Sequence, residues 1–235
     1  MSPAPTGGDR VAFFGGSFDP PHFGHIAIAR AAWQALHLDR VLFAPVGLQP
    51  LKPTGPSASF EHRVAMTRLA IAEEPGFEIS LLDAPSPGIP HPNYTVDTLT
   101  HLRQSLPAGT QLYLLLGADS FRTLPSWRRA SEIPFLANLI VASRPAPEGF
   151  TLSDASDISA SLPSGITTTP LPNQRNQYRL TNSAEEQSQL IILPHLHYDI
   201  SATQLRNQVH GLRSDEAPLL NPAVLQYIHQ HHLYE

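Results

Sequence analysis

The chain has 235 residues, 41% of them hydrophobic, and a formal net charge of −5. That length supports one α/β domain with a proper core. The charge balance argues against nucleic-acid wrapping, which needs a basic face, but leaves room for a small anionic ligand. With no cysteine, a disulfide framework, a zinc-thiolate site and a cysteine nucleophile are all excluded. The first ten residues, MSPAPTGGDR, lack the apolar stretch of a secretory signal. The longest clean apolar run, Leu112 to Leu116, is far short of the ~20 residues of a membrane helix. The expected setting is cytoplasmic, with no membrane partner.

In chain order the pattern alternates strand and helix. Val11 to Phe14 is an apolar run ending at Gly15-Gly16 and reads as a buried strand feeding a loop. Gly24 to Leu38 carries Ile26, Ala29, Trp33 and Leu36 at helical spacing. Val41 to Val46 predicts a second strand, Glu61 to Glu73 a second helix and Phe77 to Leu82 a third strand. Thr95 to Leu106 predicts a helix with Thr95 as its N-cap and Asp97 in its first turn. Leu112 to Leu116, Leu139 to Ala142 and Leu190 to Leu193 read as further strands. Ser201 to Gln208 reads as a short helix capped by Ser201, and Pro222 to His231 as a terminal helix opened by proline. Repeated βα units imply a parallel sheet covered on both faces. Ligands of such sheets lie beyond the carboxyl ends of the strands, where the strand order reverses. Ser153 to Gln189, rich in Ser, Thr, Asn, Gln and Pro, breaks the rhythm. It is expected to be a polar insertion, largely mobile, within a single domain spanning 1–235.

The densest chemistry lies in GGSFDPPHFGH, Gly15 to His25, after the first strand and at the opening of the first helix. Glycines admit a close backbone approach, and Asp19-Pro20-Pro21 makes a stiff turn. His22 and His25 share a face at the helix start, where free N–H groups favour an anion. The whole is an anion cradle with two titratable donors. There is no GxxxxGK[ST] and no GxGxxG. A second anion site is suggested by Ile200 to Arg206, a capped helix start with an arginine one turn in.

The first string resembles the signature of the H-x-G-H nucleotidyltransferases, and ISATQLR at 200–206 resembles their late ISSTxIR-like segment, with Ala202 in place of the second serine and Leu205 in place of isoleucine. Within that family the chain is most similar to the bacterial nicotinate mononucleotide adenylyltransferases. The similarity is carried by YTVDTL at 94–99, Gly117-Ala118-Asp119 followed by Trp127, Pro45 to Lys52, and Arg144-Pro145.

The resemblance implies an α/β, Rossmann-like, doubly wound parallel sheet with helices on both faces and a small C-terminal helical part. It implies transfer of AMP from ATP to nicotinate mononucleotide. Gly15, Gly16, Ser17, Phe18, His22 and His25 would then hold ATP phosphates, Gly117 and Asp119 would meet the ribose, and Ser201, Thr203 and Arg206 would complete the triphosphate site. Lys52 would sit near the reacting phosphates. Thr95, Trp127 and Arg128, or its neighbour Arg129, would hold the mononucleotide. Magnesium would arrive with ATP and need no protein cage. His229, His231 and His232 fall on different faces of the last helix and are not read as a metal site, and His195 and His197 read as loop residues. Partners are expected to be small molecules, with homo-oligomerisation left open. The alternatives are a sister enzyme using nicotinamide mononucleotide or phosphopantetheine, and a nucleotide-binding protein without turnover.

Overall fold

The computed structural model describes residues 8–48, 55–85, 92–143, 155–193, 202–209 and 219–235. Eight strands form one sheet: β1 (Arg10–Gly16), β2 (Arg40–Pro45), β3 (Phe77–Ile79), β4 (Gln111–Gly117), β5 (Asn138–Ala142), β6 (Thr167–Pro170), β7 (Gln177–Thr181) and β8 (Gln187–Leu193). Their order is β3-β2-β1-β4-β5-β8-β7-β6. In that order the first six strands, β3-β2-β1-β4-β5-β8, are parallel, whereas β7 runs antiparallel to its two neighbours, β8 and β6. The order reverses between β1 and β4, which places a ligand crevice at their carboxyl ends.

The helices are α1 (Phe23–Leu36), α2 (Phe60–Ile71), α3 (Thr95–Ser105), α4 (Ala118–Thr123), α5 (Ile133–Leu136), α6 (Ala155–Ala160), α7 (Ala202–Gln208) and α8 (Pro222–Gln230). Alternate residues along each central strand go to opposite faces. Ala12, Phe14, Phe43, Leu115 and Ile140 pack under α1, α2, α7 and α8 through Ile26, Ala29, Met66, Leu205, Val224 and Ile228. Val11, Phe13, Leu114, Leu139 and Val141 pack under α3, α4, α5 and α6 through Leu99, Phe121, Ile133 and Ile158. Both faces of the central strands are therefore dry. This is why the strands read as unbroken apolar runs rather than alternating ones. The last two helices share a face with α1 and α2 and bring the end of the chain to the start of the first βα unit.

Two expectations are corrected. Thr95 does not cap α3: the N-cap is Tyr94, in extended conformation, and Thr95 is the first helical residue. The polar stretch from 153 to 189 is not a featureless loop, for within it residues 155–189 supply α6, β6, β7 and the opening of β8. Its strands were hidden because they lie at the sheet margin. In β7 only Leu180 is fully buried, and β6 is exposed along most of its length. Its turns use Gly165, Asn173 and Asn176 at positive φ, the residues that enter the left-handed region most readily. Thr-rich β6 and the Tyr-Arg-Leu-Thr of β7 carry strand propensity without an apolar stripe.

Candidate active site

Gly15 and Gly16 end β1 and pair with Ala44 and Pro45 of β2. Gly117 ends β4, the strand on the other side of β1. The first and second glycine positions thus flank the reversal point. A side chain on Gly16 would meet the Phe18 ring at 3.2 Å and one on Gly15 the Phe13 ring at 3.2 Å, whereas a Cβ on Gly117 would have nothing within 4 Å. Open room beside the backbone exists at Gly117, whereas the close approach was expected at Gly15 and Gly16. At Gly15 and Gly16 the absent side chains make way for the protein's own aromatic rings.

Phe18 takes a left-handed backbone conformation, φ 48, and its ring is fully buried against Phe14, Phe43 and His25. Its side chain anchors the loop, so only its backbone is left to face a phosphate. Ser17 precedes it, with its carbonyl fixed by Arg63. His22 is the N-cap of α1. Its backbone N–H donates to His25 Nδ1 at 3.2 Å, and the two imidazoles stack with centroids 3.7 Å apart. His22 is nearly buried, and His25 is partly exposed at the helix opening. The pair therefore sits where the N–H groups of α1 and its partial positive charge converge.

Asp19 organises the same loop. Its carboxylate, 4% exposed, accepts from the Ser57 and Ala58 backbone N–H groups at 2.7 and 3.1 Å and from the Tyr234 hydroxyl at 2.9 Å. Its backbone carbonyl accepts from Arg206 Nη1 at 2.7 Å. Arg206 also donates to Thr203 Oγ1 at 3.1 Å and stands 3.8 Å from the Asp19 carboxylate. The two anion motifs, 187 residues apart, are joined by this bond. Beneath them Arg63, 1% exposed, donates to the carbonyls of Ala58, Ser17 and Val46. Burial lowers the affinity of this guanidinium for its proton, and the neighbouring Asp19 opposes the shift. Asp19 was read from sequence only as a turn residue, and Arg63 was missed. Arg63 stands in register with Met66, Thr67 and Ala70 on the buried face of α2, and a charge at such a position is the signal that would have found it.

A second group gathers at the start of α3. The Arg128 guanidinium lies over the Tyr94 ring, 4.5 Å from its centroid. Thr95 follows Tyr94 directly. Trp127 is partly buried against the second core cluster, and its Nε1–H donates to Thr123 Oγ1 at 3.1 Å. Arg129 is paired with Glu132 and with Asp97 in the first turn of α3, so both neighbouring arginines come to the start of that helix, Arg128 over the Tyr94 ring and Arg129 at Asp97. Asp119, in the first turn of α4, is exposed and bonded to Arg122 at 2.5 Å. Behind β1, the buried Asp83 accepts a 2.5 Å bond from Thr98 Oγ1, and burial pushes its carboxyl above the usual range.

Lys52, Ser201, Arg144, Pro145, His195 and His197 lie outside the described residues. The C-terminal histidines have separate partners: His229 meets the Val209 carbonyl, His231 packs on Tyr227 and His62, and His232 meets Glu235. Among the described residues no three His, Asp or Glu side chains are grouped to hold a metal ion. No described helix is long and apolar enough to cross a membrane.

A doubly wound sheet with a glycine–histidine loop at its reversal point is the architecture of a nucleotide-binding α/β protein, and its relatives give its class as a nucleotidyltransferase. The model of the cytidylyltransferase-like family matches residues 13–208. A probable nicotinate-nucleotide adenylyltransferase of Roseiflexus sp. (strain RS-1) is 39% identical over 235 residues and covers 100% of both chains. One from Gloeobacter violaceus is 36% identical over 228 residues, 97% of each chain. The chain belongs to the cytidylyltransferase-like family, among its nicotinate-nucleotide adenylyltransferases. The fold agrees with that of Plasmodium falciparum nicotinic acid mononucleotide adenylyltransferase complexed with NaAD, at a TM-score of 0.68 and 19% identity over 96% of this chain and 97% of that one.

Proposed function

We propose that the chain transfers the adenylyl group of ATP to nicotinate mononucleotide, giving nicotinate adenine dinucleotide and pyrophosphate. The observation that carries this reading is the bond from Arg206 Nη1 to the Asp19 carbonyl. It brings the late helix to the loop between β1 and α1, which supports reading the two motifs as one anion site.

The acceptor needs no protein nucleophile. A phosphate oxygen of the mononucleotide attacks the α-phosphorus in line, the new P–O bond forms, and the bond to the bridging oxygen breaks with its electron pair leaving on pyrophosphate. The obstacle is the approach of two polyanions and the charge that builds on the transferred group, so positioning and electrostatics carry the catalysis. Gly15, Gly16, Ser17 and the backbone of Phe18 line the phosphate track. His22 and His25 present donors at the opening of α1. Arg206, with Thr203 and Ser201, neutralises the triphosphate from α7, and Lys52, after β2 in sequence, meets the reacting phosphates. Gly117 leaves open room for the ribose beside Asp119. Trp127 stacks on the pyridine ring, with Thr95 and Arg128 beside its carboxylate.

Magnesium, carried by ATP, would supply further neutralisation of phosphate oxygens. Asp19, the acid of the loop itself, is already engaged by three donors, which suits a cation held by substrate and water rather than by a carboxylate cage. Pyrophosphate release measured with ATP and each of nicotinate mononucleotide, nicotinamide mononucleotide and phosphopantetheine tests the proposal. Release with the first alone or far above the others supports it; release only with another acceptor, or with none, rejects it.

A further inference from the structure

The end of the chain is bound to the phosphate loop at two points. The Phe23 N–H, at the opening of α1, donates to the Leu219 carbonyl at 3.0 Å just ahead of α8. Beyond α8 the chain turns through Leu233, whose N–H returns to the Ile228 carbonyl. Tyr234 then adopts φ 70 and sends its hydroxyl back to Asp19 Oδ1, 215 residues away. The same hydroxyl approaches Met66 Sδ of α2 at 3.9 Å.

We infer that Tyr234, the penultimate residue, is a positioning residue for the triphosphate site: its hydroxyl holds the Asp19 carboxylate, and Asp19 in turn holds Arg206 and the loop between β1 and α1. The inference rests on the reading that this loop and Arg206 receive the triphosphate of ATP. A carboxylate buried as deeply as that of Asp19 requires donors on its oxygens. Two come from the backbone at Ser57 and Ala58 and cannot be removed by side-chain change, whereas the third comes from Tyr234. Burial and the adjacent Asp19 push the phenol far above its ordinary value, so it stays a donor through the working pH range. With Oδ1 so held, the Asp19 peptide presents its carbonyl to Arg206 Nη1 at 2.7 Å. Tyr234 touches the loop at Asp19 and acts on ATP through these two residues.

The test uses the full-length chain with Tyr234→Phe, which keeps the ring and loses only the hydroxyl. Affinity for α,β-methylene-ATP is measured by calorimetry, and KM and kcat by pyrophosphate release. The expected result is about a tenfold loss of affinity for the ATP analogue and a matching rise in KM for ATP, the usual scale of one hydrogen bond to a charged group. The KM for the mononucleotide should stay within about twofold, because its site lies at the start of α3 and outside this network. Asp19→Asn and the double variant complete a cycle, in which Tyr234→Phe should add little once Asp19 is changed. Unchanged analogue affinity in Tyr234→Phe, or losses that simply add in the double variant, would overturn the inference. So would a fall in active fraction with both KM values unchanged, which is the mark of a merely structural role. A wild-type chain that binds the analogue but releases no pyrophosphate with any acceptor would reject the proposed reaction, while the affinities would still decide the role of Tyr234.

Discussion

The Nη1 of Arg63 donates a 2.7 Å hydrogen bond to the carbonyl of Ser17, so a residue of α2 fixes the second half of the glycine loop from below. The other guanidinium nitrogens reach Ala58 and Val46, tying the segment ahead of α2 and the end of β2 to the same point. A lysine has one ammonium on a flexible stem and cannot span three carbonyls in this planar fork. Arg63→Lys should therefore leave buried carbonyls unsatisfied and lower stability by about 2–4 kcal/mol. Denaturant unfolding checks this; a midpoint equal to that of the parent chain would show that the three bonds carry little.

His25 has two duties that substitutions can separate. As the third residue of α1 its Nδ1 accepts from the His22 N–H, in the manner of the Glu or Gln of a capping box. In the proposed reaction its imidazole also stabilises the transferring phosphoryl group. His25→Ala should lose both, with kcat lowered ~10²–10³-fold and stability lowered by about 1 kcal/mol. His25→Gln keeps a capping acceptor and should recover the stability without recovering kcat. Full activity in either variant would remove His25 from the site.

Asp83 gives the fold a pH dependence of predictable sign. Burial raises its folded-state pKa, more than the Thr98 hydroxyl offsets. The native state thus binds the proton more tightly than the unfolded chain, and stability falls as pH rises from the ordinary aspartate value, about 3.9, through the raised one. Asp83→Asn, shaped like the protonated acid and able to accept from Thr98, escapes that loss. The difference in Tm between Asp83→Asn and the parent should be small near pH 4, grow in favour of the amide as pH rises, and then level off. A difference independent of pH from 4 to 8 would mean that the carboxyl ionises as freely in the fold as outside it.

The parts of this molecule that could be read from sequence are those where local pattern and tertiary role coincide. The buried runs at Val11, Val41, Leu112, Leu139 and Leu190 became adjacent parallel strands because both faces of the central strands are dry. The glycine–histidine string was legible because glycines, a rigid turn and a helix start occur together in eleven consecutive residues. Three kinds of feature escaped. The antiparallel margin, β6 and β7, buries little apolar surface and so leaves no stripe to count. Arg63 and Asp83 do their work only after distant loops converge on them, and as isolated charges they resemble solvated side chains. The bond between Tyr234 and Asp19 spans almost the whole chain, beyond the reach of any local periodicity. The cap of α3 was misassigned by one residue because a threonine beside Tyr94 satisfies the usual preference, while the extended backbone falls on the tyrosine itself.

The acid and amide forms of the mononucleotide differ by one group on the pyridine ring, and in the proposed function the start of α3 bears on that difference. Thr95 opens the helix, where unsatisfied N–H groups favour an anion. Arg128 is held over the Tyr94 ring beside it, 4.5 Å from the centroid, which fixes a guanidinium next to Trp127. The two acids nearby are each paired with an arginine, Asp97 with Arg129 at 3.5 Å and Asp119 with Arg122. These are exposed pairs and weak in themselves; Asp97 still lines the cleft at the helix start with Tyr94 and Thr98, its charge matched by Arg129, so Arg128 and the helix start tip the local field toward an anion. An amide placed against Arg128 would set its NH₂ toward that guanidinium and lose the charge-assisted bond that a carboxylate makes, and such a loss discriminates strongly. The expected outcome is a large preference in kcat/KM for nicotinate over nicotinamide mononucleotide. Arg128→Ala should lower kcat/KM for the acid about tenfold or more, by loss of a charge-assisted bond, and leave the amide nearly unchanged, so that the preference narrows. Competition kinetics with both mononucleotides measures each quantity. Equal use by the parent chain, or an equal loss for both substrates in Arg128→Ala, would move the recognition of the acid away from this helix start.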